Sequence, residues 1–288
     1  MIRKFWLTNS KDEKYELTDK NSKIFLLNPS GLGFKKGITL SRFGNEVNVE
    51  EITYAMPEPQ GELLFHKNSL SGKYQDYQDF LQFAKKRPLK LYYQTPNTFD
   101  SWYIDCEILQ LEKSEVANDG LMHCAIVFAG TSFWKTTKEY EVVVEEQLVG
   151  GKIYPYTYPF EYEGNSFAHI ELQSNGTMET GFRFEINDEV QNATLSLYQD
   201  DEKYGEIKIL GTYDKIKVDT RDNHESIYLE YNGSAIANPT SKFDLSSNGE
   251  YQTPFPKLRV GDNVLTFSYG GVFTKSIHIK WQDLFSSI

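Results

Sequence analysis

Two cysteines in 288 residues, Cys106 and Cys124, are too few for a disulfide framework or for a metal site of their own. No apolar run approaches the roughly 20 residues that cross a bilayer. The opening MIRKFWLTNSKDEKYEL has no hydrophobic signal core, because charge returns at Lys11 and Asp12. The sequence therefore reads as a soluble chain without a standard export signal. Positive charge is scarce too: 30 Lys and Arg stand against 41 Asp and Glu, a net charge of −11. A chain this acidic binds phosphate backbones and anionic lipid poorly, so neither nucleic acid nor membrane is expected as a partner. Internal repeats and low-complexity tracts are absent. What is present is apolar and aromatic: 39% of residues are hydrophobic and 15% aromatic, enough for one large core or two ordinary ones, which excludes general disorder.

Period-two alternation prevails, the pattern of strands with one face buried. It is clearest in Ile207 with Ile209, Ile216 with Val218, Ile227 with Leu229 and Tyr231, and Ile277 with Ile279 and Trp281. Asn-Gly pairs at Asn175-Gly176, Asn232-Gly233 and Asn248-Gly249 supply the positive φ of tight hairpins. The fold class expected is mostly β, antiparallel, a sandwich or barrel. Only SLSGKYQDYQDFLQFAKKRP breaks the pattern. Tyr74, Tyr77, Phe80, Leu81 and Ala84 fall at helical spacing, Ser71 reads as the N-cap, Lys85, Lys86 and Arg87 suit the C-terminal end of the dipole, and Pro88 stops the run. Such an aromatic stripe is expected to pack on a sheet.

The strand AIVFAGTSFW gives way to the charged run KTTKEYEVVVEEQ and then to a turn-rich stretch, which places a linker near residues 136 to 148. The expected domains are 1–140 and 141–288, each of ordinary size.

Chemistry is hard to find. Gly31, Gly33 and Gly37 in NPSGLGFKKG lack the G-x-G-x-x-G spacing, and strands rather than a helix follow them, so they read as a turn and not a phosphate cradle. His66, His123, His169, His224 and His278 stand at no metal-ligand spacing, and His123 and His278 are expected to point outward from strands. No nucleophile motif occurs. Asp200, Asp201 and Glu202 read as a solvated hairpin turn rather than a glycosidase pair. The expectation is therefore no catalytic residue, no cofactor and no metal. Cys106 and Cys124, in apolar strand-like runs, are expected to be buried reduced thiols. Tyr154, Tyr156, Tyr158, Phe160 and Tyr162 have period two, so all five could lie on one strand face, where packing against a core or a neighbouring subunit is expected over stacking on sugar. Asn175, Asn192 and Asn232 begin N-x-S/T triplets without a secretory signal.

Three ordered stretches carry a resemblance. FWLTNSKDEKYELTDKNSKIFLLNPSGLGF (5–34) is a polar hairpin, a hydrophobic strand and a P-x-G-L-G turn. GELLFHKNSLSGKYQDYQDFLQFAKK (61–86) is a strand entering a helix, followed by the strand Leu91, Tyr92 and Tyr93. FPKLRVGDNVLTFSYGG (255–271) has Pro256, Gly261 and Asn263 as a turn before the strand Val264 to Phe267. Together they resemble the distal tail proteins of siphophages. The resemblance implies a ring-forming N-terminal β domain with one helix, barrel-like or sandwich-like, and a C-terminal galectin-like β-sandwich without an inserted carbohydrate-binding module. It implies a homo-hexameric ring, or a back-to-back dodecamer in isolation. The ring would contact tail tube, tape-measure, tail-associated hub and receptor-binding or baseplate proteins at the virion tail tip, having been made and assembled in the host cytoplasm. An acidic channel wall would let DNA pass without adhering. The alternative function is a module recognising cell-wall polysaccharide, and a third is a wall hydrolase.

Overall fold

The computed structural model describes residues 3–19, 21–43, 46–66, 70–95, 101–117, 120–145, 166–237, 239–247, 254–270 and 276–288. They fall into two compact units, Met1–Lys138 with Leu284–Ile288, and Glu139–Asp283. The aromatic cluster at 154–162 and the Asn248-Gly249 pair lie outside the described residues.

The first unit begins with β1 (Lys4–Thr8), β2 (Lys14–Glu16), β3 (Ile24–Ser30), β4 (Lys36–Phe43), β5 (Glu46–Tyr54) and β6 (Gln60–Phe65). Helix α1 (Leu70–Ala84) follows, then β7 (Leu89–Gln94), β8 (Ser101–Leu111), β9 (Met122–Gly130) and β10 (Trp134–Thr136). The main sheet runs β2-β1-β7-β8-β9-β6-β3, with β10 pairing β8. It does not close into a barrel, since the path starts at β2 and ends at β3. Alternation turns Phe5, Leu7, Leu91, Ile104, Leu63 and Phe65 to one face, all buried.

Helix α1 covers that core with Tyr77, Phe80 and Phe83. Phe80 meets the Tyr15 ring edge-on at 5.4 Å, and Tyr77 lies 5.8 Å from Phe65, so the stripe is core. Two polar residues, Lys73 and Asp76, share the buried side; Asp76 is 1% exposed and takes the Lys23 ammonium at 2.9 Å, which ties the helix to the start of β3. Ser71 lies inside the first turn rather than at the N-cap, because the helix already begins at Leu70.

The second unit is a sandwich. It comprises β11 (Tyr140–Glu145), β12 (Ser166–Ser174), β13 (Phe182–Ile186), β14 (Val190–Gln199), β15 (Glu202–Tyr213), β16 (Lys215–Asp219), β17 (Ser226–Tyr231), β18 (Ser234–Ala235), β19 (Phe243–Ser247), β20 (Gly261–Gly270) and β21 (Ser276–Trp281). A six-stranded sheet, β11-β21-β13-β16-β17-β18, faces a five-stranded one, β12-β20-β14-β15-β19. Inward residues of both, among them Ile207, Ile209, Ile216, Val218, Leu229, Ile277 and Ile279, make one core. Phe184 and Phe267 join the sheets at 5.0 Å between ring centroids. Tyr231, at the strand end, is exposed instead.

The residues expected to form a linker are partly a strand: β11 pairs β21 along its length, from Tyr140 opposite Trp281 to Glu145 opposite Ser276. Val142 supplies the partial burial that the charged neighbours conceal in the sequence. The last five residues, expected in the C-terminal domain, return to the first unit. There β22 (Leu284–Phe285) pairs β10, and the Ile288 amide donates to the Leu32 carbonyl.

Turn chemistry explains several connections. Asn232 (φ 51°) and Gly233 (φ 70°) link β17 to β18 in the mirror-image turn that suits strand twist. Asp200 (φ 51°) and Asp201 (φ 63°) do the same between β14 and β15, so the acidic run is the hairpin turn expected. Asn175-Gly176 makes no hairpin: β12 pairs β20, and the chain moves on to the other sheet at β13. At Gly31 (φ 75°) a Cβ would sit 2.1 Å from the Glu58 carbonyl oxygen. Gly31→Ala should therefore cost about 2 kcal/mol or more, from the left-handed backbone and the close approach together, read as a lower urea midpoint.

Candidate distal surfaces and the family

Among the described residues, strands β4 and β5 pair with each other and with no other strand. Their register places Ile38 opposite Ile52, Leu40 opposite Val49 and Arg42 opposite Val47, with a bulge between the first two pairs. Facing residues share a side of the ribbon, so Ile38, Leu40, Val47, Val49 and Ile52 form one apolar face. Thr39, Ser41, Asn48 and Glu51 take the other. All five apolar side chains are exposed, Leu40 at 57% and Val49 at 57%, and Phe43 near the tip reaches 84%. At the base, Phe34 and Tyr54 lie 6.4 Å apart, with the Lys36 ammonium 4.7 Å from the Tyr54 ring. A lone two-stranded ribbon is marginal in water, and a contiguous exposed apolar face on one marks a place where another surface belongs. In the sequence ITLSRF and EVNVEEITY look like ordinary half-buried strands, because alternation reports which residues share a face and not what covers it.

The other residues singled out from the sequence do not converge. His123 Nδ1 lies 2.7 Å from Glu62 Oε1 on neighbouring strands. His278 reaches Glu141 at 3.3 Å, and with Lys280 it holds that carboxyl below the usual carboxylate range. Both point outward. Among the described residues no three His, Cys, Asp or Glu side chains form a group able to hold a metal ion.

Cys106 and Cys124 are buried and free. The β8–β9 hairpin does not bring them together: Cys106 faces Gly130, and Cys124 faces Leu63 of β6. Burial pushes the Cys106 thiol up to about 12 and raises Cys124 as well. Neither is a thiolate near neutrality, so Ellman's reagent at pH 8 should titrate no thiol in the native protein and both in denaturant.

The second unit carries one further feature, a groove of about 820 Å³ on the outer side of the five-stranded sheet, lined by His169, Glu171, Gln173, Tyr198, Asp200 and Asp262. Below it the GDN motif is structural. Gly261 (φ 99°) opens β20, and Asn263, 1% exposed, accepts from the Tyr204 hydroxyl at 2.7 Å and the Arg259 amide at 3.1 Å. Its amide donates to the carbonyls of Arg259 and Gly261 at 2.8 and 2.9 Å. Pro256 packs where a side chain on Gly205 would stand, 2.4 Å from that Cβ position.

No curated protein matches the chain in sequence. Among solved structures the chain is similar to one in the phage P2 baseplate in its activated conformation with calcium (TM-score 0.56, 18% identity, all of both chains covered). The same baseplate with strontium gives the same values. It is also similar to the Dit protein (gp 19.1) of SPP1, described as a paradigm of the hub adsorption apparatus in phages that infect Gram-positive bacteria (TM-score 0.61, 10% identity, 97% of this chain and 98% of that one). These likenesses establish the fold over its full length, mostly β with one helix. The sequence profile of the family "Distal tail protein, N-terminal domain" matches residues 4–131, which span the main sheet, helix α1 and the β4–β5 ribbon. The first unit thus matches the N-terminal domain of distal tail proteins, and this match together with the structural likenesses supports a phage distal tail protein.

Proposed function

We propose that this protein is a non-enzymatic structural hub at the distal end of a long phage tail, its copies closing into a ring of six that joins tail tube to baseplate. The observation that carries the reading is the β4–β5 ribbon, an amphipathic arm with its apolar face uncovered, on a unit that matches the distal tail N-terminal domain. Head-to-tail contacts whose rotation closes make a ring. The partners are further copies of itself, the tail tube, tape-measure and tail-associated hub proteins, and receptor-binding or other baseplate proteins. Assembly would take place in the bacterial cytoplasm. The domain roles follow: the first unit forms the ring, and the second is the galectin-like sandwich that meets the periphery. Light scattering across concentration and at two salt strengths tests it, since subunits of 33.3 kDa should give a species of about six or twelve copies. A strict monomer speaks against the ring.

A second reading attaches to the outer groove of the sandwich. Tyr198 offers an aromatic face among amide, carboxylate and imidazole groups, the set that recognises hydroxyl-rich ligands. If the groove takes cell-wall saccharide, calorimetric titration with purified wall polysaccharide saturates and Tyr198→Ala weakens binding at least about tenfold. A pure hub shows no saturable heat.

A further inference from the structure

On the face of the main sheet turned away from its core, strand register lines up a row of aromatic rings. Trp6 of β1 faces Glu16 of β2 on one side and Tyr92 of β7 on the other. Tyr92 faces Tyr103 of β8, and Tyr103 faces Lys135 of β10, so the row crosses five strands at one level. Leu91 and Ile104, one residue away, point into the core, whereas all three rings stay partly exposed. Trp6 and Tyr92 are stacked, 5.0 Å apart at 9°, and Tyr103 follows Tyr92 at 5.4 Å. Cations close both ends of the stack: Lys14 lies 4.6 Å from the Trp6 ring, and Lys90 and Lys135 lie 5.0 and 5.8 Å from Tyr103.

Ring faces that already meet one another or an ammonium group are not open to a sugar or a base. What the row turns outward is ring edges, the electropositive side of the aromatic quadrupole, together with the lysines. The surrounding charge has the same sign. Lys14 is held by Glu16 and Lys135 by Asp105, but Arg3, Lys4 and Lys90 have no carboxylate partner among the described residues. In a chain of net charge −11, uncompensated cations gathered on and beside one sheet face are a local reversal of sign. At the Trp6 end of the row opens a groove of about 780 Å³, with Trp6 and Phe25 in its wall and Arg3, Lys4 and Lys14 at its rim.

We propose that the row and its groove dock an acidic, extended segment of another protein that carries one apolar anchor residue. Charge complementarity sets the sign: ring edges and ammonium groups favour carboxylates. The groove sets the anchor, because the partly exposed walls of Trp6 and Phe25 favour an aliphatic side chain, which a bare polyanion does not carry. The row sets the length. Four strand spacings from β2 to β10 at about 4.8 Å make a path of about 19 Å, which about six extended residues cross at about 3.3 Å each. A segment anchored beside Trp6 thus runs its carboxylates past Lys14, Lys90 and Lys135. Nothing in this argument needs the ring.

The test uses the full chain and fluorescein-labelled octapeptides, read by anisotropy. Leu-Glu-Asp-Glu-Asp-Glu-Asp-Glu should bind saturably, with half-saturation below about 1 mM. Serine in place of its leucine should weaken binding, as should added salt. Lys90→Glu, which leaves every ring in place, and Trp6→Ser should each weaken it at least about tenfold with unchanged circular dichroism, while Tyr228→Ser on the second unit changes nothing. No saturable binding, or binding that Lys90→Glu leaves intact, overturns the site. A thymidine octanucleotide held as tightly by the same residues makes the row a general polyanion surface and overturns the protein partner. A Lys90→Glu variant of lower mass than the parent in light scattering makes the row a contact between copies and also overturns the proposal. A parent that stays at 33.3 kDa yet binds the peptide keeps this site and loses the ring.

Discussion

Replacing Leu40 and Val49 together by Asp should convert the assembled species to a 33.3 kDa monomer in light scattering, with circular dichroism unchanged. The two residues face each other across the ribbon and are more than half exposed in the single chain. Their replacement therefore costs the monomer within about 0.5 kcal/mol each, as surface substitutions do. In a packed contact the same two carboxylates would be desolvated without partners, which costs roughly 4 kcal/mol or more in all. At about 1.4 kcal/mol per tenfold, association would weaken about a thousandfold at every junction of the proposed ring. Thr39→Asp with Asn48→Asp, on the opposite face of the ribbon, is the control and should assemble normally. If the Leu40/Val49 variant keeps its ring, the apolar face is not the subunit contact.

Asn263→Leu should be the most destabilising single change in the second unit. The side chain is close in volume, so the effect comes from hydrogen bonds. Four are lost at once, and the Tyr204 hydroxyl is left without its acceptor in a place where burial already raises the phenol strongly. Each buried polar group left unpaired costs about 1–3 kcal/mol, which gives roughly 3–5 kcal/mol here. Calorimetry should show Tm lowered by about 10 °C or more. Asn263→Asp keeps both acceptor contacts and loses both donated bonds, and should fall between. A Leu variant as stable as the parent would mean that the motif Gly261-Asp262-Asn263 serves something other than the turn into β20.

Much of this was legible in residue order. Period-two runs such as Ile277, Ile279 and Trp281 are inward because a strand offers two faces and water accepts only one of them. Tyr77 and Phe80 at helical spacing marked the helix, and the Asn232-Gly233 pair supplied a turn that few other residues allow. The same local rules failed where partners come from afar. The run KTTKEYEVVVEEQ looked like a linker, yet Tyr140–Glu145 becomes a strand because β21, more than 130 residues later, offers it an edge. Phe83 joined the core, and Ser71 fell inside the helix it was expected to cap. The cysteines, both in strands, were separated by a register no composition specifies.

The candidate surfaces divide in the same way. Sequence determined a mostly β, acidic chain, poor in cysteine and lacking a catalytic motif, with Gly261 and Asn263 marking a turn before a strand; the four groups that Asn263 satisfies there were supplied by the structure. Tertiary structure alone decided that one alternating hairpin, β4–β5, stands outside both cores. It alone brought Trp6 of β1 beside the consecutive strands β7 and β8, so that Trp6, Tyr92 and Tyr103 stand in one row. Alternation is a property of consecutive residues and is fixed by the pleat. Coverage and cross-strand rows depend on which strands become neighbours, and that is settled only when the whole unit pays the entropy of closing its long loops.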